Sequence, residues 1–429
     1  MARNTLLWRS LAIGGSLALV LSACGSDDGD EETTETTEAT EEATEDAAAA
    51  NTSDGTLTVG TLLPETGSLA FLGPPEFAGV TLAVQEINEA GGVLGNEVTQ
   101  IDSDSGDTSS NIAQQSVDTL LSQNVDAIVG AASSSVSLSV IDKIIGAGVV
   151  QISPANTSTA FTDYADDGFY WRTAPSDVLQ GRVLGDAVLA DGYQNVAILA
   201  LQDAYGETLA EQATTAIEDG GGTVVFSEFY DPKATDFSAL LDEAASTNPD
   251  AVILIAFDET KTIIPQAASR NFGPQDVPYF FVDGNLASYT DDFDAGTLTG
   301  TKGTLPGAEA TDEFRQRLQD AYGELTEFAY AGESYDATIL VALAAVAAGD
   351  DSGEAIASQM QAVSTEGTVC TSFAECVELL DAGEDIDYDG VSGKVEFDEN
   401  GDPTSASIGI YEYGDDNTST PVDFIEGNV

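Results

Sequence analysis

From residue 57 onward, short apolar runs alternate with segments of helical period, and this rhythm most limits what the chain can fold into. Residues 57–63, 98–101, 125–129 and 149–152 are rich in Val, Ile and Leu and read as strands. Between the first two, Phe77, Val80, Val84 and Ile87 share one helical face, opened by Pro74-Pro75 and ended by Gly91-Gly92. Ile112, Val117, Leu120 and Leu121 mark a second helix, and a Ser-rich stretch at 133–135 opens a third. The rhythm resumes with strands at 196–201, 223–229, 251–257 and 279–282, and helices at 205–217, 237–245 and 260–269. Parallel strands need a long crossover, and each connection here supplies one. The expected fold is therefore α/β, with two doubly wound, Rossmann-like lobes. Their join falls near 172–176, where Pro175 interrupts the pattern.

After residue 300 the pattern turns helical, at 312–322 and 330–348. The Ala-rich stretch 337–348 is shorter than the ~20 residues that span a bilayer. Residues 394–397 and 407–413 alternate in polarity. They are expected to be late antiparallel strands around a turn at Asn400-Gly401-Asp402.

The charge excludes whole classes of function. The chain has 429 residues, with 75 acidic and 12 basic ones, for a formal net charge of −63. Sequence-blind binding to nucleic acid needs a basic face that replaces condensed counterions, so no nucleic-acid partner is expected. Docking on anionic lipid through a polybasic patch is disfavoured for the same reason. Self-repulsion of this size destabilises a compact state unless salt screens it, which suits saline surroundings; plain solubility is the other reading. There is no histidine. That removes Ser-His-Asp and Cys-His catalysis and His-ligated zinc. No constellation of nucleophile and base takes their place, so no enzyme is expected.

The N-terminus reads as an address. Arg3 and Arg9 precede an apolar run at 11–21, and Leu21-Ser22-Ala23-Cys24 follows it. These residues resemble a bacterial lipobox. The resemblance implies a signal peptide over 1–23, lipidation of Cys24 and an extracytoplasmic protein anchored to the cell membrane. Residues 24–54 then form an acidic tether, with eleven acidic residues and no basic one between Asp27 and Asp46. Such a stretch cannot bury enough surface to offset its ordering entropy. With Cys24 assigned to lipid, Cys370 and Cys376 remain and can pair, closing a small loop worth roughly 2 kcal/mol.

In doubly wound sheets, ligands bind beyond the carboxyl ends of strands. Three places qualify. Ser133 and Thr157 follow two strands of the first series and offer hydroxyls and free backbone N–H groups to an anion such as a carboxylate. Asp283 follows the last strand of the second series and suits a cation. Together they suit a zwitterion held between the lobes. Helix capping by Ser133 and Thr157, and a simple Asp-Gly turn at Asp283, account for the same residues without a ligand.

Several motifs occur in order at fitting intervals. They are Gly60-Thr61-Leu62-Leu63-Pro64-Glu65-Thr66-Gly67, then Leu82-Ala83-Val84-Gln85-Glu86-Ile87-Asn88, then Ser133-Ser134-Ser135. Ile152-Ser153-Pro154-Ala155-Asn156-Thr157, Trp171-Arg172-Thr173-Ala174-Pro175 and Tyr205-Gly206 complete them. This text resembles leucine/isoleucine/valine-binding-type proteins, the type I solute-binding components of ABC transporters. The resemblance implies two lobes on a multi-strand hinge: 55–174 with 304–390 as lobe 1, and 175–303 with 391–429 as lobe 2. It implies that Ser133 and Thr157 hold a ligand carboxylate. The carbonyl of Ala155 and the carboxylate of Asp283 would take its ammonium, and Tyr205 and Phe257 would close over it. It also implies a permease and an ATPase as partners, a monomer, and no cofactor. Three positions depart from the branched-chain binders. Those proteins carry an aromatic where Leu72 stands, a tyrosine at Phe257 and a longer glutamate near Asp283. Relatives that bind amides, urea or aromatic acids, or that sense rather than transport, fit the same pattern.

One rival motif is Asp385-x-Asp387-x-Asp389-Gly390, with Glu396 at the twelfth place, which matches a calcium loop. A strand-like Lys-Val-Glu-Phe run overlaps its end, where a calcium hand needs its second helix.

Overall fold

The computed structural model describes residues 51–429. The expected signal peptide, Cys24 and most of the tether lie outside them. The first series gives β1 (Thr58–Leu62), α1 (Gly73–Glu89), β2 (Thr99–Ile101), α2 (Ile112–Ser122), β3 (Ala127–Gly130), α3 (Ser134–Gly146), β4 (Val150–Ser153) and β5 (Tyr170–Arg172). These strands form one sheet in the order β2-β1-β3-β4-β5, parallel throughout. β3 and β4 are buried along their whole length, as expected of strands covered on both faces.

The second series gives α4 (Asp177–Ala190), β6 (Asn195–Leu201), α5 (Ala204–Asp219), β7 (Thr223–Tyr230), α6 (Ser238–Ser246), β8 (Ala251–Ile255), α7 (Thr260–Ala268), β9 (Tyr279–Phe281) and β10 (Lys302–Pro306). The chain then returns to the side of the first sheet with α8 (Asp312–Tyr322), α9 (Ala331–Ala348), α10 (Gly353–Gln359), β11 (Thr368–Cys370), α11 (Phe373–Asp381) and β12 (Ile386–Tyr388), where β11 and β12 form a separate parallel pair. It ends in a hairpin of β13 (Ser405–Tyr413) and β14 (Ser419–Asn428). The second sheet runs β14-β13-β10-β9-β8-β6-β7. Its five inner crossover strands are parallel, and the hairpin adds antiparallel to β10.

The late strands differ from expectation. Residues 394–397 make only isolated bridges, Asp389 to Lys394 and Phe397 to Pro403. Val395 and Phe397 instead pack into the core around α9. The hairpin partner of β13 is β14, and its turn lies at 414–418. Asp385, Asp387, Asp389 and Glu396 do not gather into a calcium loop. Asp387 sits within β12, and Glu396 is paired with Lys394 at 3.0 Å. Among the described residues no group of three acidic or sulfur ligands is placed to hold a metal ion. Cys370 and Cys376 form a disulfide with Cα atoms 5.3 Å apart, tying β11 to α11.

The chain passes between the two sheets three times, at 173–176, 307–311 and 389–404. α9 packs along α1, and the approach is close enough to require Gly79. A Cβ there would stand 2.3 Å from the Ala331 carbonyl oxygen. α9 is long and apolar enough to resemble a membrane span, but 78% of it is buried in the core.

The first turn of α9 carries Glu333, buried beside Asp336 and facing Glu76 of α1. Burial first, and the Asp336 charge after it, raise the Glu333 carboxyl from 4.5 to about 8. The folded chain therefore keeps a proton at Glu333 that the unfolded chain releases above pH ~4.5. The stability it carries is complete below that pH and is lost as pH rises towards ~8. At pH 7 the loss is roughly 3 kcal/mol. Glu333→Gln is expected to be more stable than the parent at pH 7 and level with it near pH 4.5. Urea denaturation at the two pH values checks this; a constant difference would refute it.

Candidate functional site

The loops leaving β3, β4, β8 and β9 at their carboxyl ends meet across one small, closely packed cavity. Leu72, Ser133, Ala155, Tyr205, Phe257 and Asp283 all line it. Six of the seven expected ligand residues thus share one space, although they come from both sheets. Thr157, the seventh, lies just behind the wall. It is fully buried, its carbonyl accepts the Asp177 N–H at 2.7 Å, and its hydroxyl has no well-formed hydrogen bond.

Local chemistry explains these placements. Ser133 is the N-cap of α3, and its hydroxyl accepts weakly from the Val136 N–H at 3.4 Å. The hydroxyl proton stays available to an anion, and the first N–H groups of a helix have no intrahelical partner. Asp203 caps α5 by accepting from the Tyr205 and Gly206 N–H groups at 3.1 and 2.8 Å. That cap fixes Tyr205 in the first turn, where its ring stacks on Phe257 with centroids 5.6 Å apart and 11° between planes. Ser153 anchors the loop after β4: its hydroxyl accepts from the N–H groups of Ala155 and Asn156 at 3.2 and 2.9 Å.

Asp283 is the centre of the opposite wall. It is 5% exposed. Its Oδ1 accepts from the Tyr205 hydroxyl at 2.6 Å and the Gln180 amide at 2.7 Å, and its Oδ2 accepts from the Tyr330 hydroxyl at 2.7 Å. All three donors are neutral. Burial raises the carboxyl above its ordinary range, and the three donors offset only part of that rise. Among the described residues no lysine or arginine pairs with it. A carboxylate offers about four lone-pair sites, so Oδ2 has room for one more donor. Nearby Asp177, fully buried under the Thr208 hydroxyl, is pushed up to about 7 by burial. This wall is thus short of positive charge.

Tyr330, Gln180 and Leu69 belong to the site and were not singled out from sequence. Gln180 left one signal, as a polar residue between Leu179 and Val183 on the buried face of α4. Tyr330 left none. It holds a left-handed backbone (φ 59°) just before α9, far along the chain from every other wall of the cavity.

The cavity widens past Leu69, Ser133 and Phe257 into a polar mouth lined by Asp107, Asp203, Lys233 and Glu259. Direct bonds cross between the two sides. The Ser135 hydroxyl donates to Asp203 Oδ2 at 3.1 Å and accepts from the Ala204 N–H at 3.0 Å. The Ser158 hydroxyl donates to the Ala204 carbonyl at 2.8 Å. An anion-accepting helix end therefore faces a buried, uncompensated carboxylate across a small space under an aromatic pair.

Known proteins share this fold. A family model described as periplasmic binding protein matches residues 56–416. A substrate-binding protein of a chemotactic signal transduction system in Halobacterium salinarum is 27% identical over 364 residues, covering 80% of this chain and 83% of that protein. A leucine-, isoleucine-, valine-, threonine- and alanine-binding protein of Pseudomonas aeruginosa is 25% identical, covering 86% and 92%. Among solved structures, the branched-chain amino acid transporter protein LivJ of Streptococcus pneumoniae, bound to isoleucine, superposes with a TM-score of 0.69 at 22% identity. It covers 87% of this chain and all of that one. A Rhodopseudomonas palustris solute-binding protein bound to benzoate gives 0.69 at 20% identity, covering 87% and 98%.

Proposed function

Because the chain belongs to the periplasmic binding protein family, whose members are extracytoplasmic solute-binding proteins rather than enzymes, we propose which solute it takes and where it delivers it. The ligand is a small zwitterion, with a branched-chain amino acid as the first candidate. Its ammonium sits on Asp283 and the Ala155 carbonyl. Its carboxylate sits on Ser133 and the amino end of α3, with Thr157 behind. Its side chain meets Leu72, Tyr205 and Phe257. The observation that carries this reading is Asp283, a buried carboxylate held by three neutral donors with no cation of its own. A buried charge left unpaired is costly, and an ammonium removes that cost.

The ligand touches both sheets, so it favours the closed arrangement of the lobes over an open one, a shift of population. The loaded protein is read as handing its solute to an ABC permease driven by an ATPase, while Cys24 holds it to the membrane. The Halobacterium relative's name supports a second reading, in which the loaded form reports to a receptor.

The test is thermal unfolding of ligand-stripped protein with each amino acid and with amides, urea and aromatic acids. A ligand of the native state adds ~2.7 kcal/mol at a hundredfold excess over Kd. Selective stabilisation by leucine, isoleucine or valine supports the branched-chain reading. A shift with an uncharged amide alone, or with no zwitterion, would refute it.

A further inference from the structure

A second cavity, of about 280 Å³, lies behind the candidate site, and Tyr330 lines both. It opens beside the crossings at 307–311 and 389–404, between α8 and α9 on one side and β10, β13 and β14 on the other. Its wall is part polar and part apolar, with Leu305, Phe314, Phe328 and Tyr411 prominent on the apolar side. Three ionisable groups also face it: Arg315, Glu327 and Glu333.

Arg315 stands out in so acidic a chain. The described residues hold ten lysines and arginines, and seven of them pair with a carboxylate within 4.0 Å. Arg315 does not. Its Nε is buried and has no hydrogen-bond partner, and its guanidinium stacks over the Phe328 ring at 5.0 Å. Glu333 is 5% exposed and accepts no side-chain hydrogen bond among the described residues. Neither glutamate comes within 4.0 Å of the guanidinium. Burial raises both carboxyls, that of Glu333 to about 8, so near pH 7 Glu333 is a neutral donor. An orphaned planar cation, a neutral acid and aromatic walls define the chemistry of an occupant. A guanidinium takes a carboxylate bidentately, and the rings accept an apolar body.

We propose that this cavity is a second ligand site, taking a small aromatic or branched monocarboxylate whose carboxylate binds Arg315. It is separate from the zwitterion site, since Ser133 and the amino end of α3 are not among its walls.

The experiment uses 4-fluorobenzoate as probe, followed by ¹⁹F NMR at pH 7 with the full chain, and 4-fluorobenzamide as its uncharged counterpart. Saturable binding of the benzoate is expected, weakened by about tenfold or more in Arg315→Gln and for the amide, and unchanged in Ser133→Ala. Contacts from the probe to the Phe328 and Tyr411 rings, measured as intermolecular NOEs in the parent protein, need no variant and hold if Arg315→Gln fails to fold. Three results would overturn the proposal. One is no saturable binding below about 10 mM, which corresponds to under ~3 kcal/mol. Another is equal binding of acid and amide. The third is binding lost in Ser133→Ala with contacts to Leu72 and Phe257, which would place the probe in the zwitterion site.

Discussion

Replacing Asp283 by alanine is expected to weaken binding of the cognate zwitterion by about a hundredfold or more. Removing one partner of a buried, hydrogen-bonded charge pair costs ~3–5 kcal/mol, since the other charge stays buried and uncompensated. Here the orphan would be the ligand's ammonium. Alanine also strips acceptors from Tyr205, Gln180 and Tyr330, so part of its effect would come from a disturbed wall. Asp283→Asn separates the two contributions. Its amide oxygen still accepts from Tyr205 and Gln180, while its NH2 donates to the Tyr330 hydroxyl in place of accepting from it, so the charge is lost with the contacts kept. If charge carries recognition, asparagine gives most of the alanine loss in a calorimetric Kd while leaving Tm nearly unchanged. An unaltered Kd in Asp283→Asn would reduce Asp283 to a structural hub for three hydroxyl and amide groups.

Asp283 also shows how far the site was legible. It follows a strand whose apolar run is plain in the text, and a residue just past such a strand lies at the ligand edge of the sheet. Ser133 follows from the same argument, whereas the Ala155 carbonyl was implied only by the family resemblance. Tyr330 and Gln180 were found by neither, because they reach Asp283 from an elements' distance of 47 and 103 residues, and no local pattern encodes such a meeting. The fold divides in the same way. β3, β4, β6 and β8 are buried runs with clear boundaries. β5 is only three residues long, β10 carries Gly303 and Pro306, and β14 is mostly exposed with Pro421 inside it. Short, edge or proline-bearing strands lack the pattern that burial on two faces imposes. The calcium motif failed for a related reason. Its spacing matched, but its residues were already claimed by β12 and by an ion pair with Lys394.

The other large effect is expected at Arg172, at the end of β5 where the chain first leaves the first sheet. This side chain is fully buried. Its Nε and Nη2 donate to the two carboxylate oxygens of Asp402 at 2.6 and 2.7 Å, from the third crossing between the sheets. Its Nη1 donates to the Ser158 carbonyl at 2.8 Å, in the loop that follows β4 and carries Ala155 and Thr157. One guanidinium thus ties two crossings to the ligand loop. Arg172→Met leaves the Asp402 carboxylate buried without a counter-charge, held from a side chain only by the Thr162 hydroxyl, and ~3–5 kcal/mol of stability should be lost. Asp402→Leu should cost a similar amount by stranding the arginine. The double variant, Arg172→Met with Asp402→Leu, should lose much less than the sum, because an apolar pair can replace a buried ion pair at little net cost. Urea denaturation of the four proteins gives the coupling energy directly. Simple additivity would mean that the two residues act separately, and that the geometry of their bidentate contact contributes nothing of its own. Ligand affinity supplies the second readout. If the arginine positions the loop, the double variant recovers stability but binds its solute more weakly, since no apolar side chain can hold the Ser158 carbonyl in place.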